Sequence, residues 1–227
     1  MSLSYVTDHR LGSTRVARST PIVFIVGNDI SMLESLDSLI GTAGWQPEIF
    51  VSAREFLSRP RVLIPSCLIL DVDLPDLSGL DLQRRVAVDR ADMPIIFVTS
   101  YGDVPMAVQA MKAGAVEFLM KPFGDEALLS AIRVALERSK SSLDREVETR
   151  SLRDRYASLS RREREVMARI VCGRLNKQVA FELGISEITV KIHRGNLMKK
   201  MGAPSLAALV TMAASLSVAS SVKGRHF

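Results

Sequence analysis

The apolar run Ile22-Val23-Phe24-Ile25-Val26 has no polar interruption, and after it apolar residues recur at helical spacing as Met32, Leu33, Leu36, Leu39 and Ile40. The run reads as a strand buried on both faces, and the spaced set as an amphipathic helix over residues 29–43, ended by Gly41 and Gly44. Next come a short strand at 49–51, a short helix at 52–57 with Ser52 as its N-cap, and a second unbroken apolar run between Pro65 and Pro75 that ends in Asp71. The alternation continues with a helix at 79–88, a strand at 95–98 closed by Thr99-Ser100, a helix at 105–113, a strand at 116–120 and a helix starting at Asp125. Five strands interleaved with helices predict an α/β, doubly wound, five-stranded parallel sheet.

Beyond Asp125 the apolar residues Leu129, Ile132, Leu136, Leu143 and Val147 alternate with Arg, Glu and Lys, so a helix leaves the first domain. Over residues 138–157 it reads as a linker helix, either pairing with its counterpart in a dimer or simply solvated. Ser160 and Glu163 then have the spacing of a capping box, with Leu159, Val166, Ile170 and Val171 facing a core. A short helix Asn176–Leu183, a turn Gly184-Ile185-Ser186, a long helix Glu187–Met201 and a last helix at 205–217 complete an all-α, four-helix domain. Leu206, Leu209, Val210 and Leu216 of the last helix would serve packing and dimerisation. A short helix, a Gly turn and a second helix with basic residues form a helix-turn-helix pattern, with a plain bundle hairpin as the alternative.

Charge separates the two parts. Residues 150–227 hold 15 Lys/Arg against 5 Asp/Glu, and residues 1–149 hold 15 against 20. A basic C-terminal part suits a polyanion such as nucleic acid, against the alternatives of a solvated surface or an anionic membrane. Cys67 in the apolar strand and Cys172 on a predicted helix read as buried core residues of a reducing compartment. No apolar run reaches the roughly 18 residues that a membrane span needs, and residues 1–20, rich in Ser, Thr and Arg, read as a disordered leader. The expected organisation is therefore a leader at 1–20, an α/β domain at 21–137, a linker helix at 138–157 and a basic helical domain at 158–227, in a cytoplasmic protein with no membrane association.

Three polar residues fall at strand ends: Asp71 after the third strand, Thr99 after the fourth and Lys121 after the fifth. In a parallel sheet these ends share one edge, where ligands and chemistry gather. A carboxylate that accepts a phosphoryl group, a hydroxyl that hydrogen-bonds one phosphoryl oxygen and an ammonium that neutralises another make a set suited to phosphoryl transfer. The plainer alternative is a structural Asp71–Lys121 salt bridge with Thr99 as a strand-end cap.

The wording around these residues resembles the receiver domain of two-component response regulators over about residues 21–140: Leu70-Asp71 with Pro75-Asp76-Leu77-Ser78-Gly79, Val98-Thr99, the run from Gly102 to Ala115, and Lys121-Pro122-Phe123. The last two stretches resemble the NarL/FixJ subfamily. The resemblance implies a flavodoxin-like receiver in which Asp71 accepts phosphate from a sensor histidine kinase, with Thr99 and Phe118 as a switch pair and a cis Lys121-Pro122 bond. Read from the residues alone, Phe118 is a core aromatic. The family places two acidic residues after the first strand to hold Mg²⁺, whereas here Gly27 and Asn28 stand there. The implied ligands are then Asn28, Asp71 and the backbone carbonyl of Asp73, with Asp29 as a further candidate, and Mg²⁺ should bind weakly.

Residues 157–217 resemble the LuxR-type DNA-binding domain in Leu159 to Val166, Asn176 to Ala180, Ile185 to Arg194 and Met198 to Met201. By that resemblance Lys191, Ile192, Arg194 and Gly195 lie near bases of double-stranded promoter DNA, and Asn176, Lys177, Thr189, His193 and Lys199 near phosphates. Gly195 inside a helix costs about 1 kcal/mol relative to Ala, which close approach to DNA or to a neighbouring helix would explain. The expectation is a transcription regulator, not an enzyme, that forms a homodimer on activation. Two alternatives stand beside it: a regulator working without phosphorylation, and a haloacid-dehalogenase-like phosphohydrolase suggested by Asp71-Val72-Asp73.

Overall fold

The computed structural model describes residues 20–100 and 102–216. They divide into two compact units, with the boundary between Leu143 and Asp144.

The first unit contains β1 (Ile22–Val26), α1 (Ile30–Thr42), β2 (Gln46–Phe50), α2 (Ala53–Ser58), β3 (Ser66–Asp71), α3 (Gly79–Asp89), β4 (Ile95–Thr99), α4 (Val104–Lys112), β5 (Glu117–Met120) and the start of α5 (Asp125–Ala157). The strands form one parallel sheet in the order β2-β1-β3-β4-β5. Alternate residues along the central strands build two cores, as strand geometry requires. Phe24, Leu68, Leu70 and Phe97 pack with Phe56 of α2, Leu82 and Val86 of α3 and Ala110 of α4. Val23, Ile25, Ile69 and Ile96 pack with Leu33 and Leu36 of α1 and Leu128 and Ile132 of α5. The predicted doubly wound sheet is thus the observed one, with β1, β3 and β4 buried on both faces.

Several expected details differ. The second strand begins at Gln46 rather than at 49, because it is an edge strand whose outer side needs neither apolar residues nor a full set of N–H donors. It tolerates Pro47 for the same reason. Gly41 lies inside α1, which ends at Thr42 with Ala43 as C-cap; Gly44 makes the left-handed turn, at φ +87°. Cys67 is buried, and burial pushes its thiol pKa up, so it is an inert core residue. Cys172, expected on a helix and in the core, is instead exposed, in the turn after Ile170 where Gly173 has φ +82°.

The second unit holds the C-terminal part of α5 with α6 (Arg161–Ile170), α7 (Asn176–Leu183), α8 (Glu187–Met201) and α9 (Leu206–Ser215). Its core joins Leu152 and Leu159 to Val166, Ile170, Val179, Val190, Leu197 and Leu209. The predicted capping box is present: Ser160 Oγ accepts from Glu163 N, and Glu163 Oε2 accepts from Ser160 N. Gly184 and Gly202 end α7 and α8 in left-handed conformations. Of the residues expected to serve packing and dimerisation, Leu209 is buried and Leu216 partly buried against this core, while Leu206 and Val210 are exposed. Ser217, the expected end of the last helix, and nearly all of the expected leader lie outside the described residues.

Candidate functional site

Asp71 is the last residue of β3 and is buried, because the strand before it is covered on both faces. Its carboxylate is held from two sides. Lys121 Nζ donates to Oδ2 at 2.6 Å, and the backbone N–H of Asp73 donates to Oδ1 at 3.3 Å. Lys121 follows β5, and its own N–H donates to the Thr99 carbonyl at 2.8 Å, which ties the ends of β4 and β5 together. Thr99 is fully buried as the last residue of β4. The three strand-end residues therefore lie at one edge of the sheet, and the Lys121-Pro122 bond is cis.

The loop after Asp71 is fixed by two residues. Gly79 N donates to Val72 O at 2.9 Å, and a Cβ at Gly79 would come within 2.5 Å of the Asp71 carbonyl oxygen, so only glycine lets α3 start this close. The Asp76 carboxylate accepts from Arg54 N at 2.8 Å and from Ala53 N at 3.1 Å, capping α2 from a distant loop. Those N–H groups, Arg54 first, hold the Asp76 carboxyl below the usual carboxylate range. Sequence reasoning missed this role, since a cap supplied from 22 or 23 residues away leaves no local spacing to read.

Phe118 is half-buried, with its ring 5.9 Å from that of its register partner Phe97. A Cβ on Gly102 would meet the Phe118 ring at 3.0 Å, so the segment after β4 lies against that ring. Phe118 and Thr99 thus belong to adjacent strands near the same edge, both beside the chain that leads into α4.

At the end of β1 the donor set is thin. Gly27 is buried and offers no side chain, Asn28 is exposed, and Asp29 is the N-cap of α1, its Oδ1 accepting from Met32 N at 3.2 Å. No group of three or more His, Cys, Asp or Glu stands in metal-ligating arrangement among the described residues. Asp71, the Asn28 amide and backbone carbonyls fit Mg²⁺ only as a weakly held, largely hydrated ion, because one carboxylate already paired with a lysine supplies little charge.

In the second unit α8 presents Ile188, Lys191, Ile192, Gly195 and Lys199 to solvent, and buries Val190, Leu197 and Met201. Thr189, His193 and Arg194 are half-buried along its flank. Arg194 Nη1 donates to Asn176 Oδ1 at 3.2 Å, joining the start of α7 to α8. Lys177 is exposed on α7. A Cβ on Gly195 would meet nothing within 4 Å, so among the described residues no neighbouring helix requires the glycine. Exposed Ile188 and Ile192 among lysines suit a surface that meets both apolar groups and phosphates. Lys200 belongs to the scaffold: it donates to Glu163 Oε2 at 2.7 Å, joining the start of α6 to the end of α8. Arg155 Nη1, near the end of α5, caps α8 by donating to Met201 O at 2.7 Å. Both links escaped sequence reasoning because the partners are far apart in the chain.

The sequence matches the response regulator receiver domain over residues 23–133 and the bacterial regulatory proteins of the luxR family over residues 157–213. Nodulation protein W of Bradyrhizobium diazoefficiens is 47% identical over 207 residues, 91% of each chain. Response regulator protein TmoT of Ectopseudomonas mendocina is 45% identical over 88% of this chain and 91% of that one. Among solved structures, the response regulator StyR is 42% identical with a TM-score of 0.77, covering 86% of this chain and 98% of that one. Full-length FixJ from B. japonicum is 38% identical with a TM-score of 0.52, covering 86% and 97%.

Proposed function

Because this chain belongs to the response regulators, with a receiver domain and a LuxR-type DNA-binding domain, we propose that phosphorylation of Asp71 by a sensor histidine kinase controls its binding to promoter DNA. The domains in this reading are a receiver at 21–137, a linker helix at 138–157 and a DNA-binding domain at 158–227. The observation that carries it is the buried Asp71 carboxylate, held 2.6 Å from Lys121 Nζ at the strand-end edge that Thr99 also borders.

An Asp71 oxygen attacks phosphorus, the phosphorus–nitrogen bond of the donor phosphohistidine breaks, and an acyl phosphate forms. Lys121 then neutralises a phosphoryl oxygen, and the Thr99 hydroxyl turns toward another. Magnesium, where bound by Asp71, Asn28 and the Asp73 carbonyl, would screen charge on the phosphoryl oxygens. Movement of Thr99 bears on Phe118 and on the segment against it, biasing α4 and β5 toward an arrangement that pairs two chains. Two DNA-binding domains then place their α8 helices in adjacent major-groove half-sites. Lys191, Ile192, Arg194 and Gly195 face bases, and Asn176, Lys177, Thr189, His193 and Lys199 face phosphates. Action in the cytoplasm is part of this reading; among the described residues no helix is long and apolar enough to cross a membrane.

A second reading rests on Gly27 and Asn28: a regulator that binds DNA without phosphorylation because its metal site is depleted. The phosphohydrolase reading leaves the helix-turn-helix unexplained. To separate the first two, preferred duplexes are selected from random DNA, and affinity is measured with and without a small-molecule phosphodonor. Phosphorylation control requires tighter binding and dimer formation after treatment; unchanged affinity supports the second reading.

A further inference from the structure

Gln83 and Arg90 are polar residues only 2% and 6% exposed, and each keeps one atom, Gln83 Oε1 and Arg90 Nη1, without a hydrogen-bond partner. Folded proteins rarely leave buried donors and acceptors unpaired. Both residues line one cavity of about 320 Å³, at the start of β4 and so at the edge of the sheet opposite Asp71. Ala87, Ile95 and Val116 give it apolar walls, and Arg138 and Ser142 reach it from α5.

The other ends of these side chains are firmly engaged. Gln83 Nε2 donates to the Ala110 carbonyl of α4 at 3.0 Å. Arg90 Nη2 donates to the carbonyls of Phe56 and Arg59, and its guanidinium lies 4.5 Å from the centroid of the Phe56 ring. Asp92, the remaining buried charge on the lining, is paired with Arg61 at 2.9 Å. The buried lining atoms without a hydrogen-bond partner are therefore Gln83 Oε1, Arg90 Nη1 and Asp92 Oδ1, the last held only in its ion pair with Arg61, and the exposed Arg138 adds a further cation on the α5 side. Gln83 and Arg90 lie about two helical turns apart, roughly 10 Å along α3, with Ala87 between them.

We propose that this cavity is a binding site for a small organic acid: its carboxylate meets Arg90 and Arg138, an apolar middle lies along Ala87 and Ile95, and a hydroxyl at its far end donates to Gln83 Oε1. The size is at the lower end of that of small-molecule sites. Since the same Gln83 amide holds Ala110, occupancy bears directly on α4, giving the first domain an input separate from Asp71.

The test uses the full chain labelled with ¹⁵N, titrated with 6-hydroxyhexanoate, and with hexanoate and 1-hexanol as comparisons. Saturable amide shifts are expected at residues 91–93, at Ile95 and at 110–114. Hexanoate, lacking the donor, should bind about fivefold more weakly, and Arg138→Gln should weaken the hydroxy acid about tenfold. Gln83→Leu should remove the preference for the hydroxy acid; should that variant fail to fold because Ala110 loses its partner, Arg138→Gln, on the exposed side, still decides. Absence of saturable shifts, equal affinity for hexanoate, or unchanged binding in Arg138→Gln each overturns the proposal.

Discussion

The terminal methyl of Met32 lies 3.2 Å from the place where a Cβ on Gly27 would stand, and that same place is 3.9 Å from Asp71 Cβ. A side chain at position 27 would therefore stand beside Asp71, and Met32 partly fills its space. The first turn of α1 supplies a hydrophobic group where the receiver family supplies charge.

Substituting Gly27→Asp with Asn28→Asp is expected to raise Mg²⁺ affinity, with Met32 swinging aside. Repulsion among the carboxylates should destabilise the metal-free protein. Calorimetric Mg²⁺ titration of both proteins checks this. Wild type binding as tightly as the double variant would mean that Asp29 or Asp73 already supplies the missing charge.

Gly79→Ala should destabilise the first unit by about 1–3 kcal/mol, since the new Cβ meets backbone 2.5 Å away. Gly41→Ala, where a Cβ meets nothing within 4 Å inside α1, should be neutral or stabilise by up to about 1 kcal/mol. Denaturant unfolding shows a loss of stability for Gly79→Ala and none for Gly41→Ala if α3 is held against β3 as described.

Gly195→Ala should raise the stability of the helical unit by about 1 kcal/mol, since a Cβ there meets nothing within 4 Å among the described residues, and should weaken specific DNA binding if α8 lies in the groove as proposed. Arg194→Ala should cost about 1–3 kcal/mol at a selected site if the guanidinium reads a base, and act evenly on all sequences if it holds a phosphate. Fluorescence anisotropy on matched and scrambled duplexes reads both. Gly195→Ala protein that binds as wild type would contradict the placement of α8 in the groove.

Burial opposes ionisation of Glu163, but hydrogen bonds from Lys200 and Ser160 outweigh it and hold the carboxyl below its usual range. A depressed folded value stabilises the protein above the unfolded Glu pKa of about 4.3 and loses that contribution as pH falls through the folded value. Glu163→Gln should therefore cost about 1–2 kcal/mol at neutral pH, since Lys200 is only partly buried. It should also flatten the acid limb of the stability curve. Urea unfolding from pH 3 to 7 checks the slope; parallel curves for wild type and variant would remove Glu163 from that limb.

The sheet and the positions of Asp71, Thr99 and Lys121 were legible because apolar strands end at those residues or just before them, and a parallel sheet brings such ends together. The α8 face was legible through its basic residues and the turn before it. What stayed hidden depends on distant partners: Asp76 on α2, Arg155 on α8, Lys200 on Glu163. Edge position hid the true start of β2, since neither apolar alternation nor the absence of proline is required there. Cys172 was misplaced because the helix ends two residues earlier, at Ile170.

In the proposed reading Asp71 is the phosphoacceptor that governs this regulator. Intact mass of the full chain after treatment with acetyl phosphate and Mg²⁺ tests it most directly, with Asp71→Asn treated alongside. One phosphoryl adduct is expected on wild type, forming slowly because the metal is weakly held, and none on Asp71→Asn. An adduct retained on Asp71→Asn, or none on wild type at saturating Mg²⁺, would contradict it.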